Sequence, residues 1–147
     1  MIIVKPRTRK RGNPAGILKS AGLRSFGGGG DNRIQLVANG AFGSDTLWTK
    51  TTWTIAAGVA SIAGAATDTM TQAIAITPGV TYLVTFTVTA FTAGTVTPIL
   101  GGTSGTARGS AATFAEVIKA GNANNLINFS ASAATLSIDD VTILQMG

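Results

Sequence analysis

The sequence predicts an all-β protein, an antiparallel two-sheet, jelly-roll-like sandwich that carries an extended N-terminal arm. Two observations predict the sandwich. Apolar residues alternate with threonine from Val80 to Ala90, and further short β-prone segments are separated by turn residues, without helical patterns between them. A third observation predicts the arm, because most of the positive charge lies before residue 34.

The arm is predicted to cover residues 1–33 and the sandwich domain residues 34–147. Residues 1–33 hold eight basic residues against one acid, net +7, whereas residues 34–147 hold three basic residues against five acids, net −2. Such an asymmetry is typical of an interaction tail, and the glycines at 27–30 form its hinge. The arm residues expected to bind a partner are Ile2, Ile3, Val4, Lys5, Arg7, Arg9, Lys10, Arg11, Lys19 and Arg24.

The clearest strand is Val80–Ala90, in which apolar side chains fall on one face and mainly threonines on the other. The turn at Thr77–Gly79 precedes it, since proline fixes φ and glycine accepts a positive φ. Alternation from Met70 to Ile76 then predicts an antiparallel partner, joined through this turn as a hairpin. The other predicted strands are Ile34–Val37, Trp53–Ala56, Val59–Gly64, Val96–Leu100, Phe114–Lys119, Leu126–Ser130 and Leu136–Leu144.

The composition argues against an enzyme, and the sequence implies no cofactor. The chain has no cysteine and no histidine, so it can build neither a Ser-His-Asp relay nor a site of thiolate or imidazole metal ligands. Its 6 carboxylates are scattered along the sequence and do not favour a paired-carboxylate mechanism. We therefore expect a protein that binds other macromolecules.

The mean hydropathy of +0.36 raises the question of a membrane segment. Asp68 is the single charge in residues 51–107, but prolines and glycines interrupt this stretch and threonines recur through it. No membrane-spanning segment is predicted. The basic run that ends at Arg11 is followed by Gly12 rather than by an apolar stretch, so we expect no secretory signal and assembly in a host cytoplasm.

Four segments, in order, resemble parts of a known fold family. Residues 36–42 (LVANGAF) match an opening L-x-N-G-x-F strand, Trp48 follows, residues 72–86 match a central hairpin, and residues 136–141 (LSIDDV) match a closing strand. The chain thus resembles the carbohydrate-binding-module family 4/9-like, galactose-binding-like β-sandwiches over roughly residues 34–146. The resemblance implies the fold, which occurs in lectin-like modules, enzyme appendages and bacteriophage virion proteins.

Two pairs of residues are candidate binding groups under this resemblance. Trp48 and Trp53 would form a glycan platform if their rings were exposed, and the alternative is packing in the core or at a sheet edge. Asp139 and Asp140 would help to hold a structural calcium ion, as in some relatives, with backbone carbonyls near Asn39. Because calcium takes about 6–8 oxygens, two carboxylates favour a solvated or hydrogen-bonded bulge instead, and no metal is expected.

The leading functional hypothesis is a structural virion protein, a bacteriophage capsid decoration or cement protein. The body is depleted of charge, as interface centres are, and the arm offers Arg and Lys for acidic grooves on a partner. Ile2–Val4 would add a strand to an exposed sheet edge. The expected partner is the major capsid protein or another virion protein, and we expect a homo-oligomer, with a trimer as the first guess.

Two alternatives use other partners. A lectin-like carbohydrate-binding module of a tail fibre or adhesin would bind host glycans through Trp48 and Trp53. The basic arm would also neutralise nucleic-acid phosphates. The body, however, lacks interleaved basic and aromatic residues, so a nucleic-acid partner is not expected.

Overall fold

The computed structural model describes residues 33–146, so every arm residue named above, the glycine hinge and the proposed domain boundary lie outside or at the limit of the described range. Within that range the chain is all-β, as predicted. Its strands are β1 (Thr54–Ala56), β2 (Val59–Ala73), β3 (Thr81–Leu100), β4 (Thr103–Ser104), β5 (Ala112–Lys119) and β6 (Leu126–Gln145).

All strand pairings are antiparallel, in the order β1-β2-β6-β3-β4, and β5 pairs with β3. Over residues 33–146 there is no helix of the length and apolarity needed to cross a membrane. Strands β2, β3 and β6 have 15, 20 and 20 residues, longer than strands of globular proteins usually are, and register shifts interrupt their pairing. The bends at these shifts let one strand serve both layers of a sandwich.

The two layers can be traced along β3. Its residues 81–88 pair with β5 and with residues 138–145 of β6, and we call this the front layer. Its residues 95–100 pair with residues 127–132 of β6, which pair in turn with the end of β2, and we call this the back layer. The ring centroids of Phe86 in the front layer and Phe129 in the back layer lie 5.1 Å apart. The core therefore lies between the two layers.

The bends depend on residues with positive φ. Gly64 (φ 72°) in β2, Gly94 (φ 82°) in β3 and Ala133 (φ 47°) in β6 each lie where the pairing register shifts. At Gly94 a β-carbon would lie 2.3 Å from the carbonyl oxygen of Ala133, so the backbones of the paired strands β3 and β6 approach each other there at a distance that only glycine permits. The two strands thus bend from one layer to the other through a close backbone contact.

The predicted alternation in β3 is confirmed, because Tyr82, Val84, Phe86 and Val88 are buried. The turn is confirmed too: the Val80 N–H donates to Thr77 O at 3.2 Å, and Gly79 has a φ of 84°. The prediction that this turn joins the two strands of a hairpin is wrong. Strand β2 pairs with β1 and β6, not with β3, because the turn carries the chain from the back layer to the front layer instead of reversing it within one sheet.

Asp68 anchors the segment that leads into β1. Its carboxylate accepts hydrogen bonds from the backbone N–H groups of Thr51 at 3.2 Å and Thr52 at 2.6 Å. Burial alone raises the pKa of Asp68, but backbone hydrogen bonds from residues 51–53 and 69 outweigh it and hold the pKa below its ordinary value. Asp68 is therefore ionised at neutral pH and fixes the entry to β1.

Candidate interaction surfaces

Both tryptophans belong to the core. Trp48 is 6% exposed and Trp53 2% exposed. The indole N–H of Trp48 donates to Asn39 O at 3.2 Å, and that of Trp53 donates to Asp68 O at 3.3 Å. Buried rings with satisfied N–H groups offer no face to a sugar. This corrects the hypothesis of a glycan platform and supports the alternative of core packing.

The segments that carry the family resemblance meet in space. The side-chain amide of Asn39 donates to Ser44 O at 2.7 Å and Thr46 O at 3.1 Å, which fixes the following loop. The Val141 N–H donates to Gly40 O at 2.9 Å, and a β-carbon on Gly40 would lie 2.1 Å from Val141 O. The opening and closing segments therefore form one close backbone contact, and their residues serve the fold rather than a ligand.

Asp139 and Asp140 lie at a bulge in β6, as the sequence favoured. The register shifts there, Asp140 has a φ of 53°, and its N–H donates to the Asp139 carboxylate at 2.7 Å. Over residues 33–146, no group of three or more His, Cys, Asp or Glu side chains is placed to hold a metal ion. Gly40 O, one of the carbonyls near Asn39, already accepts the Val141 N–H. Asp139 and Asp140 thus form a hydrogen-bonded bulge in β6.

An aliphatic row crosses the outer face of the front layer. The outward residues of β3 in this layer are threonines except for Leu83, which is opposite Val117 on β5 and Leu144 on β6. Val117 is 56% exposed, and the two leucines are half-buried. We call these three residues the aliphatic row. Three strands thus place their aliphatic side chains side by side on a surface that is otherwise mainly threonine and alanine.

More exposed apolar surface adjoins one end of this layer. Met146, whose N–H donates to Thr81 O at 2.9 Å, is 42% exposed, and Ile34 is 73% exposed. Together with Arg33 and Gln145 they line a depression of about 290 Å³. In the described range the large exposed apolar residues are Val117, Met146, Ile34 and Leu47, and the first three lie on or beside the front layer. This clustered exposure makes the outer face of the front layer a candidate interaction surface.

Charge is scarce across the described body. Residues 33–146 carry four basic and five acidic side chains, net −1. Two ion pairs occupy four of these side chains: Lys50 with Asp45, and Arg108 with Glu116 at 3.0 Å. The aliphatic row itself contains no charge. Lys119, opposite Thr81, and Asp139, opposite Thr87, lie on the same outward face, which is therefore poor in charge but not free of it.

A second surface feature lies where the long strands bend. Residues 61–63, 90–92 and 135–137 from three adjacent strands line a depression of about 180 Å³. The Ser61 and Ser137 side chains share a hydrogen bond of 2.7 Å, and the Thr135 hydroxyl accepts the Ala65 N–H at 3.0 Å. The lining thus combines hydroxyl groups with apolar side chains such as Phe91, as ligand pockets commonly do.

Comparison with protein families and with curated proteins finds no match. Among solved structures, the chain is similar to the enzymatically active domain of tailspike protein 4 from bacteriophage CBA120, with a TM-score of 0.54 and 20% identity. That alignment covers 77% of this chain but 22% of the tailspike chain. A CBM4 structure aligns with a TM-score of 0.51 and 20% identity, over 74% of this chain and 99% of that one. The predicted carbohydrate-binding-module-like β-sandwich fold is therefore confirmed.

Proposed function

We propose that this chain is a structural, non-enzymatic protein of a bacteriophage virion, a capsid decoration or cement protein that binds the major capsid protein or another virion protein. The observation that carries the proposal is the aliphatic row of Leu83, Val117 and Leu144, an exposed apolar strip on a charge-poor sheet face. The likeness to a phage tailspike domain supports a place in a virion.

The row has the character of an interface centre. Such centres are depleted of charge and enriched in apolar side chains, and burying apolar surface contributes about 25 cal/mol per Å². The sheet presents the three side chains on a rigid scaffold, so little conformational entropy is lost when a partner covers them. The net charge of +7 on residues 1–33 supplies a second, electrostatic attachment to acidic grooves on the same partner.

The double substitution Leu83→Thr and Leu144→Thr tests the role of the row. Threonine already occupies the other outward positions of β3 in the front layer, so the strand should keep its conformation. The full chain is incubated with virus particles assembled without it and then sedimented. We expect particle binding to weaken at least about tenfold, which corresponds to about 1.4 kcal/mol.

The matched control is Ile99→Thr, which removes a half-buried outward aliphatic side chain from the back layer of the same strand. The control should sediment with particles as the native chain does. Equal binding by the double variant, or equal loss in the control, would remove the aliphatic row from the attachment mechanism.

A lectin-like carbohydrate-binding module of a tail fibre or adhesin is the second candidate. The depression in which Ser61 and Ser137 lie beside Phe91 favours it, together with the likeness to a CBM4 structure. A glycan array probed with the full chain separates the two candidates. Binding that Ser137→Ala abolishes would support the lectin, whereas an array without signal would exclude it.

A further inference from the structure

Strand β5 has one unpaired edge. Its eight residues, Ala112–Lys119, pair with Thr81–Val88 of β3 in an unbroken register, and no other strand of residues 33–146 pairs with β5. It contains no proline and no bulge, and its two charges are Lys119 at its end and Glu116, whose carboxylate is bound by Arg108 and Thr106. A regular edge of this length is a template for another strand.

The side chains along this edge leave it neutral at its centre. Thr113, Ala115 and Val117 point outward with the threonines of β3. The one acid of the strand, Glu116, points inward. Its carboxylate accepts hydrogen bonds from the Arg108 guanidinium at 3.0 Å and from the Thr106 N–H at 3.0 Å. Because no outward charge lies between residues 112 and 118, electrostatics neither repels an identical edge nor selects a charged partner.

We propose that β5 pairs antiparallel with β5 of a second copy of this chain, centred on Ala115, so that the front layers of two copies form one continuous sheet. A twofold pairing closes both open edges at once, and with this centre Glu116 lies opposite Phe114 of the second copy rather than opposite a like charge. The result is a dimer, rather than the threefold cluster expected from sequence.

The register follows from charge and length. Centred on Ala115, residues 112–118 of both copies pair over the strand, Val117 lies opposite Thr113 of the second copy, and Lys119 lies outside the paired segment. Centred on Glu116 instead, the pairing would place two carboxylates directly opposite each other, which is unfavourable. The pairing needs neither the aliphatic leucines nor a virion partner, so it stands or fails independently of the proposed function.

A charge swap at the twofold position tests this register. Ala115 is exposed, so Ala115→Lys and Ala115→Glu should leave the fold unchanged, as circular dichroism would check. In a homodimer of either variant, two like charges would face each other across the twofold axis. By sedimentation velocity on the full chain we expect the native protein to dimerise and each variant to dissociate at least about tenfold more readily, whereas an equal mixture of the two should form a heterodimer of native affinity.

A second measurement checks the geometry. The native chain has no cysteine, so Ala115→Cys introduces a single thiol, and a short bismaleimide should link two copies efficiently. Thr54→Cys, on exposed β1 in the same body, is the matched control and should not link. A native protein that sediments as a monomer or trimer, a mixture of charge variants that stays apart, or equal linking at both cysteines would overturn the pairing.

Discussion

Replacement of Trp53 by alanine is expected to lower the free energy of unfolding by about 3–5 kcal/mol, the range for removing a large aromatic side chain from a core. Trp53 is 2% exposed, and its indole N–H satisfies Asp68 O at 3.3 Å. The substitution therefore leaves a large cavity and removes a hydrogen bond to a backbone carbonyl of β2. Urea denaturation followed by far-ultraviolet circular dichroism measures the loss.

Thr54→Ala is the control for this prediction, because Thr54 follows Trp53 directly as the first residue of β1 and is exposed. Surface substitutions of this kind change stability by about 0.5 kcal/mol or less. A loss of less than about 1 kcal/mol for Trp53→Ala would contradict the burial of this ring. It would also reopen its role as an exposed platform.

Gly94→Ala is expected to cost about 3 kcal/mol or more of unfolding free energy, since it combines a left-handed backbone with a steric overlap. The residue has a φ of 82°, and its new β-carbon would lie 2.3 Å from Ala133 O and 2.5 Å from Ala134 Cα. These are backbone atoms of β6, which cannot move without disturbing the bend that all three long strands share. Thermal and urea unfolding both report the change.

Gly64→Ala separates the two contributions. Gly64 also has a positive φ, 72°, but nothing lies within 4 Å of the position its β-carbon would take. It should therefore cost about 1–2 kcal/mol, from the backbone conformation alone. Equal losses for Gly64→Ala and Gly94→Ala would contradict the close approach of the β3 and β6 backbones at Gly94.

The sequence contains enough information to predict the fold class but not the strand pairing. Alternation from Val80 onward depends only on which side chains face the core, and local sequence encodes it. The pairing of Thr71 with Asn128 joins residues far apart in the chain, and alternation is the same whichever partner a strand takes. Alternation therefore predicts a hairpin through the turn at Pro78-Gly79, although this turn connects two layers.

Because local sequence does not encode strand pairing, it also does not show which residues form the candidate sites. Leu83 stands out among threonines in the sequence, but its neighbours Val117 and Leu144 come from strands that only the register identifies. Tryptophan occurs both in protein cores and in sugar-binding platforms. The burial of Trp48 and Trp53 decides between these two roles. The sequence thus indicates which residue types could form a contact surface, but it does not show where on the protein that surface lies.

Amide hydrogen exchange, compared between the free full chain and the chain bound to virus particles, tests the attachment proposal most directly. The account predicts that binding adds protection in the front layer, over residues 81–88 and 142–146, while residues 95–99 and 128–132 of the back layer exchange as before. New protection confined to the back layer, or to the depression around Ser61 and Ser137, would contradict it.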